Sequence, residues 1–197
     1  MQIKTWDKSD LLPKIDSKEY KQLLDELEKN TKFIEDYRTK LNPEINIKEF
    51  MSIFNSLERI DEISRKLGEY AYLWFSEDTS EQEAKSFRSK VEQLSVNIGN
   101  RIMYFGLWFK NLDDKNALRI INGVPNDYKY YLEYIRILRH HVLTEPEEKI
   151  INIKDVTGTN ALIKIYDVLT NDFVFKLKVD GKELKLVKFD DLMAILE

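Results

Sequence analysis

Residues 80–112 read SEQEAKSFRSKVEQLSVNIGNRIMYFGLWFKNL, and the spacing of their apolar side chains decides the fold class. Ala84, Phe87, Val91, Leu94, Ile98, Phe105, Trp108 and Leu112 follow one another at intervals of three, four or seven residues. Those intervals put side chains on one face of an α-helix. At 1.5 Å per residue the helix is about 40 Å long. Ser80 followed by Glu83 predicts a capping box at its start.

Two more helices of this kind precede it. One is expected from Asp16 or Ser17 to about Leu41, with Glu19 placed for its cap. Its stripe is Tyr20, Leu23, Leu24, Leu27, Ile34 and Leu41. Pro43 is expected to end it, because proline disfavours helix in the residue before it. The next opens at Asn46, carries Phe50, Phe54, Leu57, Ile60, Ile63, Leu67, Tyr70 and Trp74, and ends near Ser76. Short connections make neighbouring helices antiparallel, so the first half predicts an up-down-up bundle. Aromatic side chains along the seams suit a globular core better than a slender coiled coil.

The second half is built from shorter pieces. Asp113 or Asp114 is placed to cap a helix stopping at Gly123, with Pro125 beyond it. Another helix is expected from about Asp127 to His141, with Tyr128, Tyr131, Ile135, Leu138 and Val142 on one side. Thr144-Glu-Pro-Glu147 is a second capping box, with proline in the first turn where its missing N–H costs nothing. That helix is expected to break at Thr157-Gly158-Thr159 and to resume under an Asn160 cap through Ala161, Leu162, Ile165 and Leu169. The period then changes from helical to alternating. Phe173, Phe175, Leu177 and Val179 alternate with Val174, Lys176 and Lys178, Asp180-Gly181 follows, and Leu184 and Leu186 alternate beyond it. Alternation on both sides of Asp-Gly is a strong hairpin signal. Asp190 to Glu197 reads as the start of a further helix on Leu192, Met193 and Leu196.

The expected fold is therefore mainly α: an antiparallel bundle of three long helices, then shorter helices and one β-hairpin near the C-terminus. Residues 1–143 are expected to form a helical lobe. Residues 144–197 supply a helix, the hairpin and the start of the next element.

Composition excludes several functions. Hydrophobic residues make up 43% and charged residues 34% of the 197, which suits a folded, well-solvated chain. Only six glycines and four prolines occur, too few for many short strands. The formal charge is −4, without the basic excess of a nucleic-acid binder. Without cysteine there is no disulfide, thiolate metal site or thiol nucleophile. The longest purely apolar run, Ala71-Tyr-Leu-Trp-Phe75, is far below the roughly 20 residues of a membrane span. No signal core follows Met1, and a cytoplasmic location is the expectation.

The search for chemistry finds little. His140 and His141 are adjacent, and neighbours on a helix point about 100° apart, so the two do not converge on one ion. A zinc hydrolase site needs about three protein ligands and an open position, and the chain contains no H-E-x-x-H. The segment Asp155-Val-Thr-Gly-Thr-Asn160 lacks the spacing of a phosphate loop and reads as a hinge or helix break. Lys176, Lys178, Lys182 and Lys185 read better as guards of a sheet edge than as an anion site. Tyr128, Tyr130, Tyr131 and Tyr134 do not all face one way on a helix, so some are expected to be exposed. They are candidates for a ligand-facing or lobe-facing surface, and partial burial at a domain junction is an equal reading. Glu147-Glu148 and Asp190-Asp191 lie at expected helix starts, where carboxylates suit the dipole.

The order of short motifs adds what composition does not. Trp6-Asp7-x-Ser9-Asp10-Leu11-x-Pro13 resembles the W-D-L-S-D-L-Y-P opening of the oligoendopeptidase F family. Tyr131-Leu132-Glu133 and His141-x-Leu143-Thr144-Glu145-x-Glu147-Glu148-Lys149 are similar to that family's Y-L-E and H-x-L-S-E-x-E-E-K stretches. Asp155-Val-Thr-Gly158, Asn160-Ala161-Leu162 and Tyr166-Asp167-x-Leu169-Thr170-Asn171 resemble its lead into the strands. The correspondence runs in order over nearly the whole chain.

The resemblance implies a cytosolic zinc metallopeptidase acting on short peptides. In that family an amino-terminal helical region packs as a lobe across a deep channel, ahead of a catalytic domain with H-E-x-x-H and a further glutamate ligand. None of those ligands has a counterpart here. The resemblance thus implies no catalytic, cofactor-binding or metal residue in this chain. Zinc is implied only in a longer parent protein, whose catalytic domain would be the chain's partner, and the sequence is expected to end ahead of that domain. The competing expectation is a self-contained helical interaction module without enzymatic activity.

Overall fold

The computed structural model describes residues 6–179, 182–186 and 193. Helix α1 (Lys18–Tyr37) begins at Ser17, whose hydroxyl oxygen accepts the Tyr20 N–H at 3.1 Å. Asp16 just before it adopts a left-handed backbone (φ 65°), which aspartate tolerates better than most residues. The helix ends earlier than its stripe suggests. Residues 38–41 wind as tight turns closed by Arg38 N–H to Glu35 O and Lys40 N–H to Tyr37 O, and these satisfy the last carbonyls before Pro43 is reached.

Helix α2 (Ile47–Glu77) starts where expected, with Asn46 Oδ1 accepting the Glu49 N–H at 2.9 Å. Helix α3 (Gln82–Asn111) starts without the expected capping box. Ser80 gives both its N–H and its hydroxyl to Asp78 Oδ1 instead, and Glu81 accepts the Trp74 indole N–H at 2.8 Å. A nearer carboxylate has taken the serine that Glu83 would need.

The three helices alternate in direction. Phe50 meets Phe105 and Phe109 at ring distances of 5.6 and 5.7 Å, while Tyr70 at the far end of α2 meets Phe87 at 5.8 Å. Between α1 and α3, Tyr20 meets Phe87, and Arg101 grips Glu28 and Glu35. Up-down-up packing follows. Phe50, Ile53, Ile63, Leu67, Leu27 and Ile34 lie in its centre with almost no exposed surface. At ~25 cal/mol per Å² of apolar surface removed from water, this seam is the main source of stability.

Helix α4 (Asp114–Gly123) is capped by Asp113, as expected. Helix α5 (Asn126–Ile137) gives way to a 3₁₀ turn at Leu138–His141 instead of running on. It buries Leu132 and Arg136, a face adjacent to the expected one. Arg136 explains the shift: its Nη1 donates to the carbonyls of Phe109, Lys110 and Leu112, and its Nη2 to Asp114 at 2.6 Å. A guanidinium thus gathers the last carbonyls at the end of α3, of which Phe109 O also accepts the Leu112 N–H.

Helix α6 (Glu145–Thr157) carries the Thr144–Glu147 capping box, and Gly158 separates it from α7 (Thr159–Asn171). Asn160 lies inside α7 and caps nothing; the break is made by Gly158 alone. Strands β1 (Phe175–Val179) and β2 (Lys182–Leu186) pair antiparallel, with Phe175 opposite Leu186 and Val179 opposite Lys182. The expected Asp180-Gly181 turn and the helix expected at Asp190 to Glu197, apart from Met193, lie outside the described residues.

Candidate functional site

Helices α6 and α7 lie antiparallel along α3 and hold it through polar groups. Arg38 donates to both Glu145 oxygens at 2.9 and 2.6 Å, and Lys149 reaches the same carboxylate at 2.6 Å. Asn152 donates to Asn100 at 3.1 Å, Lys164 pairs with Glu92, and Asn171 donates to Thr79 at 2.7 Å. Arg88 lies over the Phe75 ring at 4.5 Å, pairs with Glu92, and holds Nη1 3.7 Å from Asp167.

The apolar side chains of the two helices point the other way. Ile150, Ile153, Leu162, Ile165, Tyr166 and Leu169 are each more than half exposed, and neither helix contains a buried residue. A surface helix ordinarily turns its apolar stripe to the core. Here the polarity is reversed. Phe173 and Val174, both half exposed, extend the apolar surface toward β1.

A second feature is a groove between α2 and α3, closed at one end by the start of α5, with a volume of about 830 Å³. Leu57, Ile60, Ile98, Ile102 and Met103 line it, together with Gly99 and Gly106. Tyr128 and Tyr131 stand edge-on to Phe54 at 5.3 and 5.8 Å. The Tyr128 hydroxyl donates to Glu58 at 3.1 Å, and that carboxylate pushes the phenol above its usual range. Asp61, Arg65 and Asp127 complete the rim.

The residues singled out from sequence are scattered. Tyr130, Tyr131 and Tyr134 are exposed and Tyr128 is half-buried, so one helix presents the tyrosines in different directions. His140 and His141 are both exposed on the 3₁₀ turn. Among the described residues no three His, Asp or Glu side chains are grouped to hold a metal ion. The described side chains therefore do not fit the zinc that the resemblance implies. Glu147 serves the Thr144 cap, and Glu148 accepts the Leu143 N–H at 3.0 Å. Lys176 faces Lys185 in the strand register, and Lys178 faces Glu183. Asp190 and Asp191 lie outside the described residues. Among those residues no helix is long and apolar enough to cross a membrane.

Sequence reasoning found Leu162, Ile165 and Leu169 as a stripe but assigned it no exposure. It missed Ile150 and Ile153, although their period was there to be read. It also missed Gly99 and Gly106, which lie seven residues apart and therefore on one face of α3.

Residues 108–175 match the protein family described as Oligopeptidase F. A solved structure, the oligoendopeptidase-F of Enterococcus faecium, superimposes with a TM-score of 0.69 at 18% identity, over 84% of this chain and 32% of that one. The chain resembles the amino-terminal region of an oligoendopeptidase F-like protein. No curated protein matches the chain. At that identity the structural likeness speaks for the fold alone. The chain spans about a third of the length of the Enterococcus oligoendopeptidase-F. The family match runs from the end of α3 through α7 into β1, so it contains the whole reversed-polarity surface.

Proposed function

We propose that this chain is the non-catalytic amino-terminal lobe of a cytoplasmic, zinc-dependent oligopeptidase, walling a substrate channel so that only short peptides enter. The observation that carries the reading is the reversed polarity of α6 and α7. Their apolar faces lie outside while hydrogen bonds and ion pairs hold them to α3. Contiguous exposed apolar surface of several hundred Å² ordinarily marks an interface, and the occupant in this reading is the protein's own catalytic domain. Residues 1–143 form the lobe and residues 144–197 lead toward that domain. The stiff helices limit what reaches the active site, while the domain beyond them supplies the metal and the chemistry.

The test compares two proteins on a quenched oligopeptide with zinc present. The 197-residue chain is expected to show no cleavage. The chain extended through an H-E-x-x-H domain is expected to cleave it in a chelator-sensitive way. Chelator-sensitive turnover by the pure short chain would overturn the assignment, as would an extended protein that leaves the peptide intact.

A further inference from the structure

The groove between α2 and α3 is separate from the apolar face of α6 and α7, and its chemistry is different. Its floor is open because α3 turns Gly99 and Gly106 toward it; a Cβ at either position would have nothing within 4 Å. One wall is aromatic, with Tyr128 and Tyr131 set against Phe54. The rim is acidic: Glu58, Asp61 and Asp127 face a single cation, Arg65, whose Nε is already held by Asp61 at 2.7 Å. Asp127 lies in the first turn of α5, and it is exposed at the mouth. From Phe54 to Arg65 the groove runs about 16 Å along α2, the span of about five extended residues.

We infer that this groove binds an extended oligopeptide carrying a basic side chain. The apolar residues of the peptide lie over the floor at Gly99 and Gly106. The cation lies against the tyrosine rings and the carboxylates of Glu58 and Asp127, where ring quadrupole and negative charge attract it together. Charge complementarity selects the occupant, since an acidic peptide meets like charge at Glu58 and Asp127, and the rim cation, Arg65, is already paired with Asp61. The inference rests on the peptidase reading only in taking the ligand to be a peptide.

The experiment is calorimetric titration of this 197-residue chain with acetyl-Leu-Phe-Arg-Leu-Phe-amide and with the same peptide carrying glutamate in place of arginine. The arginine peptide is expected to bind at least about tenfold more tightly. Gly106→Leu builds out from a position where a Cβ has open space, fills the floor and is expected to abolish binding. Asp127→Asn is expected to weaken the arginine peptide several-fold and to leave the glutamate peptide no weaker. Gly99→Leu is a second filling variant in case one fails to fold, with helix content from circular dichroism as the check. Equal affinity for the two peptides, no binding of either, or binding untouched by both glycine variants overturns the inference. Binding lost in Leu162→Glu but kept in Gly106→Leu also overturns it, by moving the ligand to the α6–α7 face. Because binding needs no cleavage, the two readings fail separately. A chain that binds, beside an extended protein that does not cleave, removes the peptidase assignment and leaves the groove.

Discussion

Gly158 shows how one atom bends a helix. Its N–H donates to Lys154 O at 2.7 Å, and a Cβ placed on it would lie 2.8 Å from that same oxygen. Backbone cannot yield as a long side chain can, so alanine there is expected to destabilise the chain by about 1–3 kcal/mol. Gly99 has the opposite surroundings: it sits mid-helix with open space where a methyl would go. Alanine there removes unfolded-chain freedom and is expected to stabilise by about 1 kcal/mol. Urea denaturation of Gly158→Ala and Gly99→Ala checks both signs, with the midpoint moving and the slope unchanged. A gain at Gly158 would mean that the break belongs to Thr157 and Thr159 instead. The sequence signals the Gly158 break directly, because Thr-Gly-Thr interrupts a helical period. It cannot signal Arg136, whose use as a cap for α3 depends on α5 folding back across a distance of more than 20 residues.

Among the elements, boundaries set by a neighbouring side chain were legible. Asn46, Asp113 and Thr144 each start a helix as their types predict. Boundaries set by competition were not: Asp78 captures Ser80, and α1 ends where tight turns close on Glu35 and Tyr37. From Arg38, next to that end, the chain reaches 107 residues on to Glu145 and ties α6 to α1. Arg38, with help from Lys149, holds the Glu145 carboxyl at about 2, below its ordinary 4.5. A carboxyl depressed on folding adds stability that is complete above 4.5 and disappears as pH falls through about 2. Arg101 holds Glu28 and Glu35 low in the same way, adding to the same acid limb. Arg38 is half exposed, so screening cuts the contribution of the Glu145 pair to about 1 kcal/mol. Glu145→Gln is expected to lose that amount at pH 7 and to match the unsubstituted chain near pH 2. Urea titrations at pH 7, 4 and 2 read it, and a difference that persists at pH 2 would assign the loss to packing.

At the scale of the molecule, the bundle of α1 to α3 completes its core with α4 and α5, and α6 and α7 add nothing buried to it. Their inner residues Asn152, Lys164 and Asp167 make bonds that water would also make, so they position the helix pair without contributing much net stability. Their outer residues, with Leu162 and Tyr166 each 67% exposed, would gain more from a partner than they gain in this chain. Chains that leave such a face open are expected to cover it with each other. In sedimentation velocity at tens of micromolar, this chain is therefore expected to associate reversibly. Leu162→Glu with Leu169→Glu is expected to return it to a monomer. The pair points away from α3, so the urea midpoint should hardly move, with the unfolding free energy within about 0.5 kcal/mol of the original. Loss of that midpoint would show that the leucines support α7 from within, and a monomeric parent that excludes hydrophobic dye would show that the face needs no partner. If charge on α7 dissolves the assembly and spares the fold, the long bundle is the self-standing part of the chain. The reversed helix pair is then the part that waits for a partner.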